Sequence, residues 1–142
     1  TVAVKDPTIV EAMLDRFGPD RVIVGIDARD GIVKVSGWEE GSGVDAVILG
    51  KAMRAMGIVS CVFTDISKDG MLQGPNLAAT TAFAEATGLQ TIVSGGISCL
   101  DDLRSAHAAN HPCLEGVIVG KALFDNRFEA PAAAAILHGE SA

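Results

Sequence analysis

The order of apolar and polar positions divides the chain into short apolar runs and longer periodic stretches. Four runs rich in β-branched residues are apolar at successive rather than alternate positions, which is typical of parallel strands covered on both faces. Between them, apolar residues recur at spacings of three and four, which predicts helices. The predicted strands span 21–26, 58–63, 89–93 and 114–119, and the predicted helices span roughly 7–17, 44–56, 77–87, 100–109 and 129–137.

The ends of these elements carry the expected start and stop signals. Asp6 followed by Pro7 is a capping residue with proline at the first helical position. The stretch from Ser98 to Asp101 has the form of a capping box. Three predicted helices are followed by a glycine suited to a left-handed terminal residue, namely Gly18, Gly57 and Gly88.

This order of elements predicts an α/β fold with four parallel strands and flanking helices. One helix is followed by four strand–helix units, and right-handed crossovers place the helices outside the sheet. Segments 24–31 and 63–70 both run from a strand end into a polar Asp-Gly turn, the layout of a (β/α)8 active face. Because a full TIM barrel needs about 250 residues, we predict that residues 1–142 form a single half-barrel.

Composition and charge exclude several classes of protein. A net charge of −7, with 4% aromatic residues and no tyrosine, argues against a nucleic-acid partner. No signal peptide is visible and no apolar run approaches membrane-spanning length, so we expect a cytoplasmic protein without a membrane partner. Three cysteines without CxxC spacing argue against a zinc site. His107 and His111 have helical spacing but no following acidic partner, so we expect surface histidines and no metal.

Candidate catalytic side chains follow the first two predicted strands. Asp27 lies at a strand end, where a partly desolvated carboxylate suits general acid catalysis; the alternative is an Asp that caps the loop. Thr64, Asp65 and Asp69 either orient sugar hydroxyls or form an Asx-type turn before the glycine that follows. Trp38, the only tryptophan, either stacks on a planar ligand or pins its Gly-rich loop to the sheet.

Glycine-rich turns follow the last two predicted strands. Glycines let a backbone approach a phosphate, and helix starts offer unpaired amides to it. Two such turns on neighbouring strands are typical of the phosphate site of a barrel. Lys121 either adds a charge there or is a solvated lysine. The predicted phosphate-binding residues are Ser94, Gly95, Gly96, Gly120 and Lys121.

Together these motifs resemble the phosphoribosylformimino-aminoimidazole carboxamide ribotide isomerase family of histidine biosynthesis. The resemblance extends from the turn after the family's fourth strand to its final helix, and therefore implies the C-terminal half of a (β/α)8 barrel. The ordered motifs are 25–31 (GIDARDG), 35–40 (VSGWEE), 64–70 (TDISKDG) with 74–76 (GPN), 94–98 (SGGIS) and 116–122 (GVIVGKA).

The resemblance implies an Amadori rearrangement of an aminoaldose to an aminoketose, an intramolecular redox isomerisation without cofactor or metal. It assigns the general acid to Asp27 and an assisting hydroxyl to Thr64. It also implies that Trp38 stacks on the imidazole and that Thr1 is the remnant of a second phosphate turn. The first phosphate falls to Gly95, Gly96, Gly120 and Lys121, with Asp69 and Ser94 as further substrate-binding residues.

One part of the family's machinery has no counterpart among these 142 residues. The family's general base is an Asp on its first strand, so we expect negligible isomerase activity from this chain alone. The chain begins at Thr1 as though entered in mid-fold. We expect it to self-associate or to pair with an N-terminal half-barrel, because a half-barrel exposes strand edges and apolar faces.

Three alternatives accompany this interpretation. The cyclase of the same pathway shares the barrel, but its sixth-strand motif lacks the Thr-Asp-Ile pattern that this chain has at 64–66. The bifunctional histidine and tryptophan isomerase usually has Arg two positions before the loop tryptophan, where this chain has Ser36. A non-catalytic half-barrel that binds phosphate or self-associates is the third, although such a scaffold has no need of Asp27, Thr64 and Trp38 together.

Overall fold

The structure, a computed structural model, describes residues 1–38 and 40–139, without the side chains of residues 40 and 41. Helices and strands alternate through most of its length. The strands are β1 (Ile23–Arg29), β2 (Ile32–Val35), β3 (Glu40–Asp45), β4 (Ser60–Asp65), β5 (Gln90–Ser94) and β6 (Leu114–Val117). The helices are α1 (Val2–Lys5), α2 (Pro7–Phe17), α3 (Ala46–Met56), α4 (Leu77–Thr87), α5 (Leu100–Ala108), α6 (Lys121–Phe124) and α7 (Ala130–Leu137), with a 3-10 helix at Pro19–Arg21.

The strands form one mostly parallel sheet in the order β3-β2-β1-β4-β5-β6. β1, β4, β5 and β6 pair in parallel, whereas β2 and β3 extend the β1 edge as an antiparallel hairpin. The predicted α/β fold with four parallel strands and flanking helices is therefore confirmed. The arrangement is consistent with part of a TIM barrel.

The hairpin of β2 and β3 was not predicted, so the sequence-based count of strands is too low. β3 has little apolar pattern, and backbone pairing with β2 defines it instead. The Ser42 hydroxyl supports that pairing by donating to the Val33 carbonyl at 2.8 Å. β2 is only four residues long, and Lys34 interrupts its apolar residues. Such short elements give too few positions for a period to show.

The capping groups correct one predicted helix start and one predicted capping box. The helix expected from residue 44 begins at Ala46, because the Asp45 carboxylate caps it by accepting from the amides of Val47 and Ile48. The capping box expected at Ser98 and Asp101 lies one residue later. Cys99 is the N-cap of α5, and Asp102 supplies the returning carboxylate.

One face of the sheet, here called the covered face, packs against helices. Side chains of α3 and α4, including Leu49, Met53 and Phe83, join it in a single core. The Phe63 and Phe83 rings stack with centroids 4.4 Å apart. The strand residues buried on this face are Val24, Ile26, Ala28, Cys61, Phe63, Thr91 and Val93.

The opposite face, here called the open face, is far less buried. Ile23 at the start of β1 is 53% exposed, and Ile118 just beyond β6 is 44% exposed. Among the open-face positions of β1, β4 and β5, only Thr64 is buried. The expectation that the strands are covered on both faces is therefore wrong for this chain, because its described helices cover one face.

Candidate functional site

Three of the predicted site residues lie in one row at the C-terminal end of the sheet. Asp27 of β1 is the register partner of Thr64 of β4, and Thr64 is the partner of Ser94 of β5. Neighbouring strands are about 4.8 Å apart, so the row is roughly 10 Å long. Residues in register on parallel strands point to the same side, and here that side is the open face. A carboxylate and two hydroxyls thus share one edge.

The Trp38 indole contacts Asp27 directly. Its Nε1–H donates a hydrogen bond to Asp27 Oδ2 at 3.0 Å, while 41% of the tryptophan remains exposed. The sequence predicted that Trp38 either stacks on a ligand or pins the loop, and in this structure it pins the loop to the end of β1. Sequence reasoning missed the Asp27 partner, because eleven residues and a hairpin separate the two.

The loop that carries Trp38 has an unusual backbone. Ser36, Gly37 and Trp38 are consecutive residues with positive φ, at 55°, 69° and 74°. Only glycine adopts this region without cost. The chain's N-terminal residues hold the loop from the other side, since the Ser36 amide donates to Thr1 Oγ1 at 3.0 Å and Lys5 Nζ donates to Ser36 Oγ at 3.1 Å. Residue 39 of the VSGWEE motif lies outside the described residues.

A cavity of about 220 Å³ opens beside the Ser94 end of the row. Its wall combines the loop after β4, the turn after β5 and the start of α6. The structure thereby brings together six of the predicted substrate-binding residues, from three separate strand ends. They are Asp69, Ser94, Gly95, Gly96, Gly120 and Lys121.

The two central glycines of this wall are required by its geometry. Gly95 and Gly96 have φ values of 88° and 90°. A Cβ on Gly96 would lie 2.4 Å from the Gly74 carbonyl oxygen, and one on Gly95 would lie 3.1 Å from the Asp65 carbonyl oxygen. Close backbone packing of two loops therefore explains both glycines, with or without a phosphate. Both glycines line the cavity.

The start of α5 does not offer free amides in the way the sequence predicted. Asp102 Oδ2 accepts from the Ser98 amide at 2.8 Å, the Ser98 hydroxyl at 2.7 Å and the Cys99 amide at 3.2 Å. Burial alone raises the pKa of Asp102, but these hydrogen bonds outweigh it and the pKa is lowered. The ionised carboxylate thus occupies the helix start, and an anion is left with the turn upstream of it.

Lys121 supplies a positive charge at the wall. Its ammonium donates to the Gly70 carbonyl at 3.3 Å, which links the start of α6 to the loop after β4. An ammonium carries three donors, so this bond does not exhaust it. Lys121 is nevertheless an exposed residue, so its role in phosphate binding stays a prediction.

Asp65, one of the two carboxylates predicted either to orient sugar hydroxyls or to form an Asx-type turn, organises the loop after β4. Its carboxylate accepts from the amide and hydroxyl of Ser67 and from the Asn76 side chain. The expected Asx-type turn in 64–70 therefore exists, but Asp65 forms it, while Asp69 lies on the cavity wall. The Asp-x-Ser spacing and an Asn directly before a helix were the available signals.

Within residues 1–38 and 40–139, no three His, Cys, Asp or Glu side chains are arranged to hold a metal ion. His111 instead faces Glu85, with Nε2 and Oε1 3.1 Å apart. No helix in this part of the chain combines the length and apolarity needed to cross a bilayer.

Comparison with known proteins gives one consistent family. Residues 1–129 match the model of the family described as "Histidine biosynthesis protein". The chain is 46% identical over 127 residues to a protein of Syntrophomonas wolfei, covering 89% of the chain and 52% of that relative. It is 49% identical over 130 residues to one of Desulfitobacterium hafniense, covering 90% and 52%.

A third relative, from Rhodospirillum rubrum, is 48% identical over 137 residues, which is 96% of the chain and 56% of the relative. All three are named as imidazole-4-carboxamide isomerases, and the name of their compound carries two phosphoribosyl groups. The chain spans about half the length of these relatives.

Proposed function

Because the chain belongs to the histidine biosynthesis protein family, we propose that it is the C-terminal half of a TIM-barrel isomerase in that pathway. The proposed reaction is the Amadori rearrangement of a bisphosphorylated imidazole carboxamide ribotide from aminoaldose to aminoketose. The observation that carries the proposal is the row of Asp27, Thr64 and Ser94, which leads into a glycine-walled cavity. The proposed general acid and the proposed phosphate site then lie on the same row of strand ends.

Asp27 is the proposed general acid. It gives its proton to the ribose ring oxygen as the C1′–O bond breaks, which opens the ring to a Schiff base. Removal of the C2′ proton then forms an enolamine, which tautomerises to the ketose. Thr64 is in register beside Asp27 and positions a hydroxyl near the reacting sugar. The base that removes the C2′ proton is proposed to be the family's first-strand Asp, outside these 142 residues.

Trp38 has two successive roles in this proposal. In the chain without substrate its indole N–H bonds Asp27 Oδ2. While this bond is in place, Asp27 Oδ2 faces the indole rather than a substrate. Substrate entry is proposed to draw Trp38 away from Asp27 and to stack it on the imidazole, which leaves the carboxyl group to the sugar.

The glycine-walled cavity is the proposed phosphate site. Backbone at Gly95 and Gly96 approaches the anion without side chains in the way, and Lys121 and Ser94 add donors. This local set of donors matters because the chain as a whole has a net charge of −7. Thr1, whose hydroxyl lies against Ser36, is the proposed remnant of the second phosphate site.

The open face supports a partner. Partly exposed apolar residues there, such as Ile23 and Ile118, are proposed to pack against an N-terminal half-barrel or a second copy of this chain. The three cysteines are free, which is in keeping with a reducing cytoplasm. We therefore propose a cytoplasmic enzyme that needs both halves and no metal or cofactor.

Two other functions are weaker proposals. The open face also favours a self-associating, non-catalytic half-barrel that binds phosphate. A bifunctional isomerase serving tryptophan synthesis is less favoured, because Ser36 stands at the position of the expected Arg and is engaged with Thr1 and Lys5.

Growth of a histidine auxotroph that lacks its own isomerase tests the proposal. The chain is expressed together with the N-terminal half of one of the relatives, as two separate polypeptides. We expect growth without histidine only when both halves are present, and loss of growth with Asp27→Asn. The matched control is Asp30→Asn in the neighbouring turn, which should still grow. No growth with both halves expressed and associated would contradict the isomerase function.

A further inference from the structure

We propose that Asp65 is a positioning residue for the phosphate cavity, and that it acts through Asn76 by fixing the loop of residues 66–75. This inference rests on the proposed phosphate site and names the group that shapes it. Asp65 ends β4 in register with the buried Ala28, so its side chain lies on the covered face rather than the open face. It therefore contacts the loop from the covered face of the sheet, on the side away from the open face.

The Asp65 carboxylate uses both oxygens. Oδ1 accepts from the Ser67 amide at 3.0 Å and from the Ser67 hydroxyl at 2.6 Å. Oδ2 accepts from Asn76 Nδ2 at 2.7 Å. The Asp65 carbonyl meanwhile accepts from the amides of Lys68 and Asp69. One residue thus holds the first turn of the loop and reaches its far end.

Asn76 passes this constraint to the helix that follows. It is the N-cap of α4, and its Oδ1 accepts from the Ala79 amide at 3.2 Å. Because its Nδ2 goes to Asp65 and its Oδ1 to Ala79, the amide has one allowed orientation. The end of β4 and the start of α4 are thereby tied together, and residues 66–75 are closed into a loop between them.

The closed loop forms the wall of the cavity. Asp69, Gly70 and Leu72 line it. The Gly74 amide donates to the Gly96 carbonyl at 3.0 Å, and the Gly70 carbonyl accepts from Lys121. With backbone contacts this close, a displacement of the loop moves the backbone around Gly96 and the ammonium of Lys121. Asp65 therefore controls the positions of the anion's donors without touching the anion.

Ionisation of Asp65 accords with this role. Burial raises the pKa of its carboxyl group, but the hydrogen bonds from Ser67 and Asn76 and the nearby charge of Lys68 lower it further than burial raises it. The carboxylate is therefore charged at neutral pH. A negative charge near an anion site disfavours the anion by simple electrostatics. If Asp65 acted only by its charge, removing that charge should tighten phosphate binding. If Asp65 acts by positioning the loop, its replacement should weaken phosphate binding.

The test measures the dissociation constant of inorganic phosphate for the intact chain, by titration calorimetry, in four proteins. These are the wild type, Asp65→Asn, Asn76→Asp and the double variant with both changes. Asp65→Asn places two amides opposite each other at positions 65 and 76, and Asn76→Asp places two carboxylates there. The double variant restores every bond with the polarity of the pair reversed. Its amide at position 65 accepts from Ser67 and donates to the carboxylate at position 76, which still caps α4 at Ala79.

We expect roughly tenfold weaker phosphate binding in each single variant, the size of one lost hydrogen bond to a charged group, and recovery in the double variant. Asp15→Asn, an exposed carboxylate on α2, controls for the change in net charge. Unchanged or tighter binding by Asp65→Asn would overturn the inference, and so would a double variant no better than the singles.

A second readout separates this inference from the phosphate site itself. If the wild type does not bind phosphate, the proposed phosphate site fails. Amide exchange of Asp69, which donates to the Asp65 carbonyl, and of Gly74, which donates to the Gly96 carbonyl, then decides the role of Asp65. Faster exchange at both amides in the single variants, reversed in the double variant, would keep Asp65 as the residue that fixes the loop. Equal exchange in all four proteins would remove that role.

Discussion

The two ends of the candidate site are held in different ways. At the Asp27 end, a half-exposed tryptophan on a positive-φ loop donates one side-chain hydrogen bond to the carboxylate. At the Gly95 end, two loops interlock through backbone contacts, and a half-buried carboxylate fixes each loop. The proposed phosphate end is therefore held by backbone packing, whereas the proposed acid end is held by a single side-chain hydrogen bond.

The largest loss of stability should come from adding a side chain where the two loops pack at the Gly95 end. Gly96→Ala places a methyl group 2.4 Å from the Gly74 carbonyl oxygen at a φ of 90°. We expect a loss of about 3 kcal/mol in the free energy of unfolding, from the clash and the strained backbone together. Urea denaturation measures it. Gly25→Ala is the control, because its added Cβ meets nothing within 4 Å; equal losses in both variants would refute the interlocked wall.

A smaller effect should follow from uncapping α5. Asp102→Asn weakens the bonds to Ser98 and Cys99, at an expected cost of about 1 kcal/mol at neutral pH. The folded pKa of Asp102 lies below its ordinary 3.8, so its contribution is present above that value and is lost as pH falls through the lowered folded pKa. The gap in stability between wild type and variant should therefore shrink in acid. A gap that stays constant from neutral pH down to about pH 3 would contradict the assignment.

Breaking the acid end should change stability little but change the tryptophan clearly. Asp27→Ala removes the acceptor of Trp38, which costs at most about 1 kcal/mol for a half-exposed hydrogen bond. Trp38 is the only tryptophan and the chain has no tyrosine, so its fluorescence reports this contact alone. We expect red-shifted emission and stronger quenching by acrylamide. Asp15→Ala on α2 should leave the spectrum unchanged, and an unchanged spectrum in Asp27→Ala would remove the contact.

The smallest change in stability should come from an exposed ion pair, and it shows how much an exposed charge contributes. Asp101 lies beside Asp102 at the start of α5 but is exposed, and it pairs with Arg104 at 2.6 Å. Exposed ion pairs contribute little, so Asp101→Asn should change the free energy of unfolding by less than about 0.5 kcal/mol. The same urea experiment measures it. A loss as large as that of Asp102→Asn would mean that general charge near the helix start, rather than the capping bonds, stabilises this end.

The chain's pattern predicted the parts of the fold that depend on burial. The bounds of α2 and α4 match the prediction, because their apolar spacing and terminal residues agree. β3 was missed because it is defined by backbone pairing, which leaves no apolar period. Strand and glycine motifs also placed the candidate residues at strand ends, where parallel pairing brings them together. The Trp38–Asp27 bond was beyond prediction, since it depends on three consecutive positive φ values in residues 36–38.

The most direct test of the isomerase assignment is conversion of the aminoaldose in vitro by purified halves. The chain, made in a strain without its own isomerase, is assayed alone and after mixing with the N-terminal half of a relative. The account predicts conversion only in the mixture, reduced by about a hundredfold or more in Asp27→Asn and unchanged in Asp30→Asn. Conversion by the chain alone, or none by a demonstrated complex of the two halves, would contradict it.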